Sequence, residues 1–406
     1  MTTCLVCHSE DVRAFLDLNE TALANKFLRP EEAGTAEAAY PLRVGFCLNC
    51  NHVQLMECVP PQAMFDDYLY ISSMSDTLVT HLTGLAKTVS ERFDLGADDL
   101  VVDVGCNDGT LLKGFRSHGA KTLGVEPATN LTEMSREAGL DVVNAYFGSE
   151  TADALRAKHG LARVISLTNV FPHLPFLDDF MTGVQTLLDD DGVLVLEAHY
   201  LQDLLSHRAF DTVYHEHVSY WSLRPIIKLF ERFGMEVVDV ARLPIHHGQL
   251  RVYAQRKGVA TPSPAVATLI AEELEAGFDS YETFTHFADE VLGLKRDLWD
   301  LLNSLSASGQ KIAAYGAPAK GSTLLSFFEI GPDTVPYIAD KSPLKQGRVT
   351  PGTHIPVVPP SHIEEEKPDY MILLAWNFAD EIMAQQAAYR AGGGRFIIPV
   401  PEVRVV

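Results

Sequence analysis

The sequence predicts an α/β protein in three parts: a small N-terminal cysteine module, a central unit on a mostly parallel sheet, and a second α/β unit at the C-terminus. Three observations carry this. Two Cys-x-x-Cys pairs, Cys4/Cys7 and Cys47/Cys50, sit in a stretch rich in turn residues with only short apolar runs. In DDLVVDVGCNDGTLLKGF, residues 98–115, a short apolar strand ends in a glycine-rich turn and a helix follows, the usual opening of an α/β unit. A second such opening is KIAAYGA followed by AKGSTLLSFF, residues 311–328.

Taken in order, the elements divide the chain near 1–75, 76–258, 259–308 and 309–406. Its 406 residues exceed one ordinary core. After a helical pattern from Asp76, apolar segments alternate with helices through KTLGVEP, RVISLTNV, GVLVLEAHY and PIIKLFERFG. Such alternation implies parallel strands with ligands at their carboxyl ends. MEVVDVARL and QLRVYAQR follow with little between them and are expected to be antiparallel. Beyond TPSP, helical periodicity from about Ala265 to Ser306 predicts connecting helices before the last unit.

Composition excludes several roles. A formal charge of −22 opposes broad binding to nucleic acid or anionic membrane. No apolar run nears the roughly 20 residues of a membrane span, and MTTCLVCHSE has no signal-peptide character, so a cytoplasmic protein is expected. Six cysteines in such a chain suggest thiols or metal ligands rather than disulfides. Cys4, Cys7, Cys47 and Cys50 are expected to hold one structural Zn2+ as a closed four-thiolate shell, with His8, His52 and Cys58 in reserve.

Three further stretches bear chemistry. The turn Asp103-x-Gly105-Cys-Asn107-Asp-Gly109 lacks the G-x-G-x-x-G dinucleotide spacing, and resembles the D-x-G-x-x-x-G turn of class I S-adenosylmethionine (SAM)-dependent methyltransferases. Glu126, ending the next strand, stands where an acid would bind ribose hydroxyls, and Asn169 and His173 lie at the rim where cofactor and substrate would meet. In the last unit, Lys320 precedes Gly321, the wrong order for a P-loop. Lys320, Ser322 and Thr323 at a helix N-terminus, with Lys345 and Arg348 beyond, still offer a pocket for a diphosphate. The stretch YHEHVSYWS, residues 214–222, reads as a metal site, an acid–base cluster or an aromatic core patch; it supplies two metal ligands with no evident third, and too many polar groups for a core.

Together the paired cysteines, DVGCNDG, YHEHVSYWS, HGQLRVY and YGAPAKGSTLL resemble, along nearly the whole chain, the sugar C-methyltransferases that act on nucleotide-linked 4-keto-6-deoxyhexoses in antibiotic biosynthesis. The resemblance implies an N-terminal zinc module, a central Rossmann-like SAM domain and a second Rossmann-like C-terminal domain that holds a TDP-linked sugar, in a monomer or weak oligomer. It implies C3 methylation beside the ketone, with His217 as base, Tyr214 as acid or hydrogen-bonding partner, Glu216 orienting the sugar, and Tyr70 closing over it. His215 is left as support and Trp221 as packing. Two departures bear on the pocket: His246-His247 before Gly248, and Glu197-Ala-His-Tyr200, where a proline is expected before the tyrosine. Glu197 is counted with the substrate-binding residues. Rival readings are methylation elsewhere or of a non-sugar ketone, and nucleotide-sugar oxidoreduction.

Overall fold

The computed structural model describes residues 2–65, 68, 70–245 and 248–406; the His246-His247 departure therefore lies outside the described residues. The chain opens with three antiparallel strands, β1 (Val12–Thr21), β2 (Tyr40–Cys47) and β3 (Val53–Leu55). A helix over Asp76–Arg92 follows, its N-cap Ser75 accepting from the Leu78 amide at 3.3 Å. Leu78, Leu82, Leu85 and Val89 recur at helical spacing and are buried.

The central unit contributes β4 (Leu100–Val104), β5 (Lys121–Val125), β6 (Val142–Val143), β7 (Ala162–Thr168) and β8 (Leu188–His199), mutually parallel. All five residues of β4 are buried, because helices cover both faces of a parallel sheet. The two-residue β9 (Ser219–Tyr220) leaves this unit, and β10 (Met235–Leu243) and β11 (Gln249–Arg256) return to it as an antiparallel pair, as expected. The seven-stranded order is β10-β11-β8-β7-β4-β5-β6, with β11 also antiparallel to β8. The connections reverse direction between β4 and β7, and the crevice at that switch point is where ligands of open α/β sheets bind.

Helices Pro264–Glu275 and Tyr281–Ala307 lead to the last sheet, which comprises β12 (Ile312–Tyr315), β13 (Ile338–Ala339), β14 (Val357–Val358), β15 (Tyr370–Leu373), β16 (Arg395–Ile398) and β17 (Arg404–Val405). Its order is β14-β13-β12-β15-β16-β17, parallel except for the terminal β17.

Two features tie the three parts together. β9 pairs with β3, so the order of the N-terminal sheet is β1-β2-β3-β9 and its last strand comes from the central unit. One apolar core joins Leu16, Leu18 and Phe46 of the first sheet, Phe284, Val291 and Leu298 of the long helix, and Phe327 and Phe328 of the last unit. The long helix is thus a shared wall of that core.

Candidate active site

The switch-point crevice opens into a cavity of about 1020 Å³, lined by all three parts of the chain. That is at the upper end of small-molecule sites, roughly 300–1,000 Å³, and suits two ligands meeting.

One end is built by the glycine turn. Gly105 has φ +66°, and a Cβ there would lie 2.4 Å from Val170 Cγ2. Gly109, at φ +75°, caps the helix Thr110–Ser117, and a Cβ there would lie 2.0 Å from Leu140 Cδ1. Both positions therefore require glycine, because the positive φ strains any side chain and Val170 and Leu140 already fill the space a Cβ would take. Glu126 accepts from the Asn107 and Ala128 amides, each at 2.9 Å, and burial raises its carboxyl above the ordinary range. Asp103 accepts from Ser166 Oγ at 2.8 Å, and burial raises it to about 7. Asp103, Gly105, Asn107 and Glu126 line the cavity, as does Asn169, whose Oδ1 accepts from Gln249 Nε2 at 2.5 Å. The Asn107 side chain also binds a strap over the turn, donating to the Tyr70 carbonyl and accepting from the Ser72 amide, both at 3.0 Å. Tyr70 lines the cavity beside this strap and is half exposed.

The stretch 214–222 crosses the middle of the cavity. Val218 fixes it by accepting from the Leu55 amide at 2.9 Å and donating to the Pro172 carbonyl at 2.8 Å. A turn, His217 N to Tyr214 O at 2.9 Å, brings Tyr214 and His217 to one side. His217 Nδ1 lies 2.8 Å from the Thr212 carbonyl oxygen, which can only accept. That nitrogen therefore carries the proton, and Nε2 keeps a lone pair that accepts from Tyr214 Oη at 3.2 Å. Burial, with the neighbouring His173 and His199 rings, holds His217 well below the usual histidine range, so it is neutral. His173 donates from Nδ1 to the Glu216 carbonyl at 2.6 Å, and burial lowers it to about 4. Glu216 accepts from Asn25 Nδ2 at 2.7 Å and Tyr68 Oη at 3.1 Å, and burial raises its carboxyl to about 7. His215 faces away, bonding the Tyr40 carbonyl at 3.2 Å, and Trp221 is fully buried against Phe171 and His52.

The far wall belongs to the C-terminal unit. Lys320, at the start of helix Ala319–Phe328, lines the cavity with its Nζ 4.0 Å from the Trp376 ring centre, and burial lowers it to about 8. Trp376 in turn donates from Nε1 to the buried Asp211 at 2.7 Å. Lys345 also lines the cavity and donates to the Ala317 carbonyl at 2.6 Å. Five residues expected to meet substrate are not in the cavity lining; Glu216 is one, set behind its partners Asn25 and Tyr68. Ser322 and Thr323 face the core of the C-terminal unit because the helix turns them inward. Arg348 donates to the Phe27 carbonyl at 3.2 Å. Glu197 is fully buried, paired with Arg251 at 2.5 Å and hydrogen-bonded to His81 at 2.7 Å, and is not among the lining residues.

The four cysteines converge. Their sulfurs lie within 4.8 Å of one another, with Cys4 to Cys50 at 3.5 Å and Cys7 to Cys47 at 3.6 Å, all as free thiols. Zn–S bonds of about 2.3 Å need sulfurs about 3.8 Å apart in a tetrahedron, so the set fits zinc and closes its shell. The reserve ligands stand apart: His8 pairs with Asp178, His52 bonds Ser219 at 3.1 Å, and Cys58 is exposed.

Sequence reasoning missed Asn25, Tyr68, Thr212, His199, Asp211 and Trp376. Only His199 carried a signal, as the residue where a proline is expected.

Family models match consecutive parts of the chain: a domain described as zinc binding over residues 4–65, a methyltransferase domain over 81–240, and a C-methyltransferase C-terminal domain over 244–401. C-methyltransferase NovU of Streptomyces niveus is 36% identical over 404 residues, spanning 99% of this chain and 96% of that protein. Among solved structures, magnesium protoporphyrin IX methyltransferase (ChlM) of Synechocystis PCC 6803 with bound SAM matches 47% of this chain and 86% of its own at 15% identity, with a TM-score of 0.33. Mitomycin 7-O-methyltransferase MmcR matches 45% of this chain and 55% of its own at 18% identity, with a TM-score of 0.35.

Proposed function

Because the chain belongs to the SAM-dependent C-methyltransferase family, we propose that it methylates C3, beside the ketone, of a nucleotide-linked 4-keto-deoxysugar through an enolate that His217 generates. The supporting observation is that the His217–Tyr214 pair, joined at the Nε2 lone pair of His217, shares one cavity with the glycine turn and Glu126.

Asp103, Gly105 and Glu126 would hold SAM, with Gly109 starting the helix behind them, Asn107 fastening the strap above it, and Asn169 and His173 at the join between the ligands. Bound SAM supplies an electrophilic methyl group. A sugar carbon attacks such a group only as an enolate, so the chain must remove a proton and stabilise an oxyanion. His217 Nε2 takes the proton. The Tyr214 hydroxyl, 3.2 Å away, turns from the imidazole to the keto oxygen as negative charge grows there. Glu216 orients the site by holding Asn25 and Tyr68, which line the cavity beside the sugar, and Tyr70 covers the ring. Lys320, Lys345 and the N-terminus of helix Ala319–Phe328 meet the diphosphate, supplying positive charge to a dianion inside an otherwise acidic chain. Residues 76–258 thus act as the SAM domain and 309–406 as the nucleotide-sugar domain. Zinc in residues 1–75 shapes the site without entering the reaction.

The test is incubation with SAM and a panel of nucleotide-linked 4-keto-deoxysugars, with mass and NMR analysis of the product. A new C-methyl singlet at C3 is expected. An O-methyl or N-methyl signal, or no product with any 4-keto sugar, overturns the proposal.

A further inference from the structure

We propose that Asn25, supplied by the N-terminal module, selects the sugar by accepting a hydrogen bond from one of its ring hydroxyls. The inference rests on the reading of the cavity as a nucleotide-sugar site.

Asn25 lines the cavity, and the chain around it is anchored. Three residues on, Leu28 pairs with Val349 of the C-terminal unit through two backbone bonds of 3.1 and 2.9 Å. Phe27, just before it, is buried, with Lys345 Nζ 5.0 Å from its ring centre and Arg348 donating to its carbonyl at 3.2 Å. The side chain of Asn25 is oriented as well. The ionised Glu216 carboxylate can only accept, so the atom 2.7 Å from its Oε1 is Asn25 Nδ2, and the amide oxygen is turned away from it. Among the described residues nothing donates to that oxygen, and it is not sealed from solvent. Tyr68, which also lines the cavity, gives its hydroxyl proton to Glu216 Oε2 at 3.1 Å and keeps only lone pairs. Asn25 thus offers a ligand its carbonyl oxygen and one N–H, and Tyr68 offers lone pairs alone. A hydroxyl both donates and accepts, and it satisfies this set. A methylene in its place takes water from the acceptors and returns no donor, so the pair rejects a sugar deoxygenated at that position.

The experiment is a calorimetric titration of the full-length protein at pH 8, with S-adenosylhomocysteine in place of SAM so that nothing turns over. That pH lies above the value of about 7 to which burial raises Glu216, so the carboxylate accepts from both partners. The ligands are TDP, TDP-linked 4-keto-6-deoxyglucose, and its 2-deoxy and 3-deoxy counterparts. The wild type is expected to bind the parent sugar about ten-fold or more tightly than one of the two deoxy counterparts. Asn25→Ala and Asn25→Leu should bind TDP as the wild type does and lose most of that preference. A wild type indifferent to both hydroxyls overturns the proposal, as do variants that keep the preference. Variants that lose TDP affinity in step with sugar affinity overturn it too, because the residue would then hold only the fold. A wild type that binds none of the four ligands overturns the nucleotide-sugar reading itself, and the role of Asn25 with it.

Discussion

A histidine acts as a base only while one ring nitrogen keeps its lone pair, and the Thr212 carbonyl secures that for His217 by occupying Nδ1. Because burial lowers its pKa, the neutral form persists below the ordinary histidine value near 6.5. The limb of the kcat/KM pH profile that His217 contributes is therefore expected to fall below pH 6.5. His217→Asn should remove that limb and lower kcat by about 10²–10⁴-fold. Steady-state rates between pH 5 and 8 check both. Glu216 gives a stability prediction of opposite sign. Its folded pKa, about 7, lies above the unfolded value, so the native state binds the extra proton, and stability is lost as pH rises from about 4.5 through 7. Glu216→Gln removes that loss; it should be more stable than wild type at pH 8 by up to about 3 kcal/mol, with the gain vanishing near pH 4. Thermal unfolding at the two pH values decides it. The cluster Tyr214-His-Glu-His217 was legible in the sequence because its polar residues are adjacent. Asn25 and Tyr68 were not, since they reach Glu216 from 191 and 148 residues away.

Among the elements, the strand–turn–helix openings were readable because each is written within about 20 contiguous residues, and β4 with its glycine turn and Glu126 follow that reading. β9 could not be read. Two residues, Ser-Tyr, carry no period, and only their partners Val53 and Gln54 make them a strand. That pairing gives the metal a mechanical role. The Cys47–Cys50 knuckle leads through His52 directly into β3, β3 holds β9, and β9 ends the stretch that carries His217. Stripping zinc with a chelator should therefore lower kcat at least ten-fold, although none of Cys4, Cys7, Cys47 and Cys50 lines the cavity. Loss of the metal should also change Trp221 fluorescence, because His52 packs on that indole at 4.6 Å. Metal-free protein with undiminished kcat would contradict this role.

At the scale of the whole molecule, the alternation of segments announced two α/β units, and the helical periodicity from about Ala265 to Ser306 announced connecting helices, the longer of which, Tyr281–Ala307, buries one apolar face. Neither could say what that face meets, because burial against Leu16, Phe46 and Phe328 is decided by tertiary packing. The pocket between the units is likewise a joint product, and Asp211–Trp376 is its bolt. Asp211→Ala removes the acceptor of the Trp376 Nε1–H bond, a cost of about 1–3 kcal/mol, at the ring that lies under Lys320. A lower melting temperature and a KM for the nucleotide sugar raised about ten-fold are expected, with SAM affinity unchanged in calorimetric titration; weakened SAM binding would mean that the contact holds the central unit instead. The shared sheet has a consequence for biosynthesis. His52 and its partner Ser219 are 167 residues apart, so β3 leaves the ribosome with its outer edge bare. At about 5–20 residues per second, that edge waits on the order of ten seconds or more for its neighbour. Bare strand edges invite foreign pairing, and the nascent chain carries that risk until the segment bearing its catalytic histidine arrives to cover it.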